Sequence, residues 1–451
     1  MFNDQSRRPA EQLRGFLRPL VALSPIAALV GACFCALGST AAAQNYDAQI
    51  NYDQSAQPSD PDYEETLANL WYPAAKGLPA LGFPVEPLPV MVSVRGGNTN
   101  NITVGTGNPD ELTNLSNDFG FLHVDCNYPL VGPTEDYHVA SAGLGLMIQW
   151  LRGNAAEYNI NPEQIFIQSR SFGTIAMYPV ALREDFAVPG SADPVLVQSS
   201  RPDYYIPRLG PSTLTCFSTQ AGPWDSTMSV FFFPGQTFDQ GTPEQRLEES
   251  AYWSLLNPHL YDRQRTPPMC VVYKAAHTDV CGQVTDVHSG LFGDVMLEAI
   301  EDFVELTGDR EFGQRSSSID ISSMPDATGA IVAWAVKRLA ADFDGLWLVP
   351  PTGMVGSTGG DISLTVFGAK AGATLAYYTG TTAGTFPMPG CPNLEGQITD
   401  FTLLGTAPAS PAGVGTWTFP VDASSVGQTA LFHVVDFGNC VMSNVSSHVY
   451  F

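Results

Sequence analysis

A serine can act as a nucleophile when the backbone lifts its hydroxyl out of a packed strand and places it at the start of a helix. Residues 164–174 have the composition for that. The apolar run Gln164-Ile-Phe-Ile-Gln168 leads into Ser169-Arg170-Ser171-Phe172-Gly173, and a helical pattern begins at Phe172. Gly173 supplies the small neighbour that a sharp strand-to-helix turn needs, and Asn161-Pro162 marks a turn upstream. A second element precedes it in the chain. Val94-Arg95-Gly96-Gly97-Asn98 ends an apolar run with two adjacent glycines, which let backbone amides approach a developing oxyanion. Ser171 is the candidate nucleophile, and Gly96, Gly97 and Phe172 are the candidate oxyanion neighbours.

Leu70-Trp-Tyr-Pro73, Pro89-Val-Met-Val-Ser-Val-Arg-Gly-Gly97, Trp150-Leu-Arg-Gly-Asn154 and Tyr158-Asn-Ile-Asn-Pro162 occur in order before the serine turn. With it they resemble the carboxylesterase branch of the α/β-hydrolases, including its feruloyl-esterase-like and acetyl-xylan-esterase-like members. The resemblance covers roughly residues 68 to 305. It implies hydrolysis of a small-molecule or carbohydrate-linked ester through an acyl-serine intermediate, with no cofactor. Three positions depart from the family pattern: Arg95 replaces the usual His, Asn98 a common third Gly, and Ser169 the usual first Gly.

A nucleophilic serine needs a base within hydrogen-bond reach and a carboxylate to orient that base. Thr266–Tyr273 resembles the family's next-to-last strand, after which the acid is expected; Asp279 stands there, with Asp286 close behind. The family then has a further strand and a histidine, but after His288 no histidine occurs before His433. His288 is the preferred base, with Asp279 as its carboxylate. The rival assignment takes Met228–Pro234 as the penultimate strand, Asp239 as the acid, Tyr273 within the last strand and His277 as the base. A third reading has no functional base, which would make the chain an inactive hydrolase-fold binding or adhesion protein of the cell exterior. His123, within an expected strand, reads as a core residue, and His138 as part of a helix start.

The elements around these residues alternate. Leu88–Val94 is nearly all apolar, as expected of a strand buried on both faces of a parallel sheet, and residues 120–124, 164–167, 194–198 and 269–273 read likewise. Helices are expected over residues 139–156, where Leu144, Met147, Ile148 and Leu151 recur on one face, from Phe172, and over 291–306. The pattern predicts a doubly wound α/β-hydrolase domain over residues 67–310. Residues 311–345 read as a linker carrying a helix over 327–341. Residues 346–451 read as an all-β sandwich, from short alternating runs such as Ile362–Phe367, Thr416–Phe419 and Ala430–Val435. His433 and His448 are expected on its sheet faces.

The first 43 residues have the order of an export signal: Arg7, Arg8, Arg14 and Arg18, an apolar run from about Leu20 to Leu37, then Ala41-Ala42-Ala43. Residues 44–66, rich in Asn, Gln, Asp, Ser and Pro, read as a flexible leader. The expected location is outside the cytoplasm: secreted, periplasmic or at the cell surface. Export leaves six cysteines, an even number that favours disulfides in an oxidising compartment. Cys391 and Cys440 are expected to pair, and the pairing of Cys126, Cys216, Cys270 and Cys281 stays open. No Cys/His spacing fits zinc.

The chain has 45 Asp and Glu against 20 Lys and Arg, a formal charge of −25 over 451 residues. Such a balance argues against nucleic acid as a partner, because phosphate binding needs a surplus of cations. Charged residues make up only 14% of the chain and hydrophobic ones 44%, which excludes charge-driven disorder for most of it. The C-terminal piece looks like terminal modules of secreted bacterial proteins, and by that analogy glycan or cell-surface contact is expected there. Asn101, Asn114 and Asn444 fit glycosylation acceptor sites. Trp71, Trp224 and Trp253 read as core residues before pocket residues.

Overall fold

The computed structural model describes residues 48–56, 58–60, 63–73, 87–96, 111–130, 137–183, 185–210, 266–275, 290–308, 310–323, 327–342, 345–349, 351 and 358–450. Eight strands form one mixed sheet: β1 (Ala48–Asn51), β2 (Leu67–Trp71), β3 (Leu88–Val94), β4 (Leu122–Cys126), β5 (Ile160–Arg170), β6 (Tyr204–Arg208), β7 (Cys270–Tyr273) and β8 (Ser317–Asp320). Their spatial order is β1-β2-β4-β3-β5-β6-β7-β8. From β4 to β8 every neighbouring pair is parallel, while β2 runs antiparallel to both β1 and β4.

The order explains where a site can form. From β3 the chain moves outward to β4, then crosses back to lay β5 on the other side of β3. At such a reversal the connections leave the sheet in opposite directions and open a crevice at the carboxyl ends of the two strands. Gly96 follows β3 and Ser171 follows β5, so both stand at that crevice.

Helices cover both sheet faces. On one face Val90, Val92, Val94, Val124 and Ile167 share a core with Leu144, Met147, Ile148 and Leu151 of α2 (Tyr137–Gly153). The same core takes in Ile175 and Ala176 of α3 (Phe172–Tyr178) and Met296, Ile300 and Phe303 of α4 (Leu291–Thr307). Before α2, α1 (Glu111–Asp118) leads into β4, and after α4 a short α5 (Arg310–Arg315) leads into β8. On the opposite face Phe166 stacks on Tyr204 at 4.2 Å, and Trp334 of α6 (Thr328–Asp342) meets both rings edge-on. Mixed α/β topology with helices on both faces fits an α/β-hydrolase-like domain.

Four expectations need correction. Residues 194–198 form a turn, because the Asp193 carboxylate accepts from the Val195 amide and Gln149 donates to the Leu196 and Gln198 carbonyls. The strand is Tyr204–Arg208 instead, whose Pro207 and Arg208 disguise it. Ser316-Ser317-Ser318 does not behave as linker: Ser317–Asp320 is β8, paired in parallel with β7. The ladder comes from that neighbour, which a serine run does not announce. Residues 48–51 and 63–66 are likewise structured rather than a flexible leader, with β1 on the sheet edge and Tyr52 fully buried, its hydroxyl donating to the Asn127 carbonyl at 2.8 Å. Finally, Cys126 and Cys270 are free and buried, so the even cysteine count does not translate into full pairing. Burial raises both thiols well above their usual range, which leaves them inert as nucleophiles. Cys216 and Cys281 lie outside the described residues.

The C-terminal part is β-rich. β9 (Trp347–Leu348), β10 (Gly360–Phe367) and β15 (Gly415–Val421) form one antiparallel sheet; β11 (Thr374–Gly380), β14 (Thr402–Pro408), β16 (Thr429–Asp436), β17 (Val441–Met442) and β18 (Ser446–Val449) form a second. A hairpin of β12 (Ala383–Pro387) and β13 (Glu395–Ile398) stands apart. Ile362, Leu364 and Val366 of the first sheet share a core with Leu375, Tyr377, Phe432 and Val434 of the second. Cys391 and Cys440 are disulfide-bonded as expected, with their Cα atoms 5.4 Å apart. Trp347 ties this part to the α/β part by donating its indole N–H to the Phe119 carbonyl.

Candidate active site

Ser171 is the one residue between β5 and α3, and its backbone lies at φ 50°, ψ −119°. A non-glycine residue in this region costs on the order of 1–3 kcal/mol and persists only where its surroundings impose it. Those surroundings are specific. The Ser171 amide donates to the Arg208 carbonyl at the end of β6, and the Ser171 carbonyl accepts from Thr174 one helical turn on. Register places Val94 of β3 beside Ser169 of β5, which brings Gly96 alongside the serine. A β-carbon on Gly96 would stand 2.8 Å from the Ser171 Cβ and 2.9 Å from the Arg170 oxygen. One on Gly173 would meet the Arg95 carbonyl oxygen at 2.3 Å, and one on Gly210 the Thr174 Cβ at 2.3 Å. Three glycines on three segments thus close the turn around Ser171.

Ser169, where the family pattern has glycine, fits for a local reason. Its fully buried hydroxyl donates to the Tyr205 hydroxyl at 3.0 Å, and Tyr205 passes the chain on to the Thr174 carbonyl at 3.2 Å. The extra oxygen is satisfied by β6 and α3, and it braces the elbow from below.

Arg95, in place of the family histidine, pairs with Asp125 of β4: Nε donates to Oδ1 at 3.0 Å and Nη2 to Oδ2. Its carbonyl accepts from the Tyr128 hydroxyl at 3.1 Å. Neither Asp125 nor Tyr128 is singled out by sequence spacing. The one sequence cue is the Asp125-Cys-Asn-Tyr128 run, which closes β4 and carries the chain out of it.

Of the expected site residues, Ser171, Phe172 and Gly96 come together at the crevice. Gly97, Asp279 and His288, and the rival pair Asp239 and His277, lie outside the described residues. The sheet bears on the choice between them. Among the described residues Tyr273 ends the seventh of eight strands in the sheet, and β8 follows it, whereas the rival assignment required its strand to be the last. The residue that ends β8 is Asp320, whose carboxylate accepts from the Ala275 and Ser322 amides and the Ser322 hydroxyl. Slight burial works against ionisation there, and these donors outweigh it, holding the carboxyl below its usual range.

Other candidates resolve into structure. His123 is buried, with Nδ1 2.9 Å from the Ser116 hydroxyl and its ring edge-on to Trp71. His138 is exposed near the start of α2. His433 and His448 are buried on the sheets. The amide of Asn444 bonds both backbone groups of Leu348 inside the core, so this sequon cannot carry a glycan in the folded protein, and the Ser116 hydroxyl of the Asn114 sequon is buried as well. Trp224, Trp253 and Asn101 lie outside the described residues.

A cleft of about 790 Å³ opens at the other end of the sheet, lined by residues at the amino ends of β5, β6 and β7. Arg152 forms part of its wall, but its donors are spent on the carbonyls of Pro162, Ser199 and Arg201 and on both Asp203 oxygens. The cleft therefore reads as a brace between α2 and the sheet rather than as the reactive centre. Among the described residues no group of three or more His, Cys, Asp or Glu could hold a metal ion.

No protein-family model matches the chain, and no curated protein matches it in sequence. Solved structures similar in three dimensions include an acetyl ester-xyloside bifunctional hydrolase from Caldicellulosiruptor lactoaceticus, at 15% identity and TM-score 0.41 over 58% of this chain and 84% of that one. A truncated carbohydrate esterase from gut microbiota aligns at 14% identity and TM-score 0.46, covering 65% of this chain and 97% of that one. An esterase of the Planctomycetes species Thermogutta terrifontis with propionate bound aligns at 15% identity and TM-score 0.38, over 61% and 89%.

Proposed function

We propose that the chain is an exported serine hydrolase that cleaves carboxylic esters at Ser171, with a C-terminal β-sandwich. The observation that carries this reading is the conformation of Ser171, held at positive φ by close glycine contacts at the sheet's switch point. Such strain marks a residue whose position matters more than its local stability.

In the proposed reaction the Ser171 hydroxyl oxygen attacks the ester carbonyl carbon while its proton passes to a histidine. Backbone amides at Gly96, Gly97 and Phe172 stabilise the oxyanion of the tetrahedral intermediate. Collapse breaks the bond to the alcohol, which leaves with the histidine's proton, and water repeats the sequence to release the acid. We assign the base to His288, oriented by Asp279. Both belong to the segment between Ala275 and Gly290, which leaves the carboxyl end of β7. That end is two strand spacings from β5, about 10 Å, within reach of a connection of this length. His277 shares the segment and is the rival base. Mechanism and fold favour small-molecule or carbohydrate-linked esters as the substrate class.

Turnover of p-nitrophenyl acetate by the mature protein tests the assignment. Ser171→Ala should abolish it, and of His277→Ala and His288→Ala only the latter should. Full activity in His288→Ala, with loss in His277→Ala, would move the base to His277.

A further inference from the structure

The Arg95–Gly96 peptide, just past β3, is held from three directions. Asp125, 6% exposed, grips the Arg95 guanidinium through a two-bond fork. Tyr128, 1% exposed, donates its hydroxyl to the Arg95 carbonyl at 3.1 Å. From the helix side Gly173 packs against that same oxygen, with room for no β-carbon. A trans peptide is planar, and its C=O and N–H point in opposite directions. Anchoring the Arg95 oxygen therefore fixes the direction of the Gly96 N–H.

The two anchors belong to β4 and the residues just after it, while the serine follows β5, on the other side of β3. Through Arg95 they join the two sides of the crevice. Tyr128 suits this role chemically, since burial raises its phenol above the usual range and keeps it a hydrogen-bond donor at neutral pH. The fork of Arg95 cannot deprotonate, and its planarity resists rotation about the ion pair.

We propose that Tyr128 and Asp125 are positioning residues for ester cleavage: through Arg95 they set the Arg95–Gly96 peptide so that the Gly96 N–H is in place for the oxyanion before substrate arrives. The inference rests on the acyl-serine reading of Ser171. Donors fixed in advance cost no reorganisation when charge develops, so loosening them should weaken the transition state more than the ground state.

The test compares wild type with Tyr128→Phe, Asp125→Asn, Arg95→Lys and Arg95→Ala, using p-nitrophenyl acetate turnover and inhibition by a trifluoromethyl ketone, which forms a serine hemiketal oxyanion. Tyr128→Phe and Asp125→Asn should each lower kcat about five- to tenfold, the equivalent of one hydrogen bond. KM should stay put, and ketone affinity should fall by the same factor as kcat. Arg95→Lys, which keeps the charge, should retain more activity than Arg95→Ala. Folding is followed separately by thermal melting, and Asp125→Asn serves if Tyr128→Phe does not fold. Unchanged kcat and ketone affinity in folded variants of an active wild type would overturn this inference alone. A wild type with no turnover at all would overturn the acyl-serine reading and this inference with it.

Discussion

Gly173 and Arg95 touch through backbone: a β-carbon at residue 173 would lie 2.3 Å from the Arg95 carbonyl oxygen. Backbone oxygen cannot swing aside as a flexible side chain can, so one of the two segments would have to move. Gly173→Ala should therefore cost about 1–3 kcal/mol of stability. It should also displace Gly96 relative to Ser171, so ester turnover should fall further than the loss of folded protein explains. Parallel melting curves and active-site titration check this.

The disulfide Cys391–Cys440 spans 49 residues of the β-rich part. Closing a loop of that length stabilises by about 4 kcal/mol in the chain-entropy description. Reduction, or Cys391→Ser with Cys440→Ser, should lower the melting temperature of the C-terminal part. Turnover at 25 °C should change little, since Ser171 lies on the other part. Calorimetry with and without reductant reads the shift.

His433 is fully buried, and among the described residues neither ring nitrogen has a hydrogen-bond partner. Burial disfavours the imidazolium and lowers its pKa from the usual 6.5 to about 4. The unfolded chain therefore takes up the proton first as pH falls. The stabilisation from keeping this ring neutral is complete above about pH 6.5, declines as pH falls toward about 4, and loses nothing more below that. His448 is shifted in the same direction by the same cause. His433→Phe should flatten the dependence of unfolding free energy on pH between about 6.5 and 4 without removing it, as measured by urea titration across that window.

The fold shows which sequence signals carry far. The serine turn is legible because its strand is apolar on both faces and its glycine is local: Ile165, Phe166 and Ile167 bury completely, and Gly173 stands two residues from Ser171. Leu144, Met147, Ile148 and Leu151 give α2 for the same reason, a periodic face meeting one sheet. The pair Cys391 and Cys440 follows from proximity in the chain. β6 and β8 are less legible because what makes them strands is their neighbours. Tyr204–Arg208 carries a proline and an arginine yet is sandwiched between β5 and β7, and Ser317–Asp320 has one buried residue, Ile319, and depends on β7 for its ladder. The bracing of the site by Tyr205, Tyr128 and Asp125 is long-range chemistry, invisible to spacing. Arg95 and Ser169 look like departures from the family pattern in sequence, and in the structure each has partners that account for it.

Arg152 illustrates a signal read for one purpose and serving another. It lies in the stretch that resembles the esterase branch, yet its contacts are three carbonyls and the Asp203 carboxylate, away from Ser171. Asp203 is raised by burial against the pull of Arg152, so removing the guanidinium leaves that carboxylate with the Ile165 amide and takes a donor from the Ser199 and Arg201 carbonyls. Arg152→Ala should destabilise the protein by about 2–4 kcal/mol, while residual folded enzyme keeps its kcat. Urea unfolding and kinetics on the same samples separate the two.

The proposed ester cleavage turns on Ser171 being a nucleophile. The most direct measurement is labelling of the folded mature protein with a fluorophosphonate, followed by peptide mass mapping. A single adduct on Ser171, absent after denaturation and absent in Ser171→Ala, is the predicted result. No adduct on Ser171 in folded protein, or equal labelling of Ser171→Ala, would contradict the account and leave a hydrolase-like fold put to some other use.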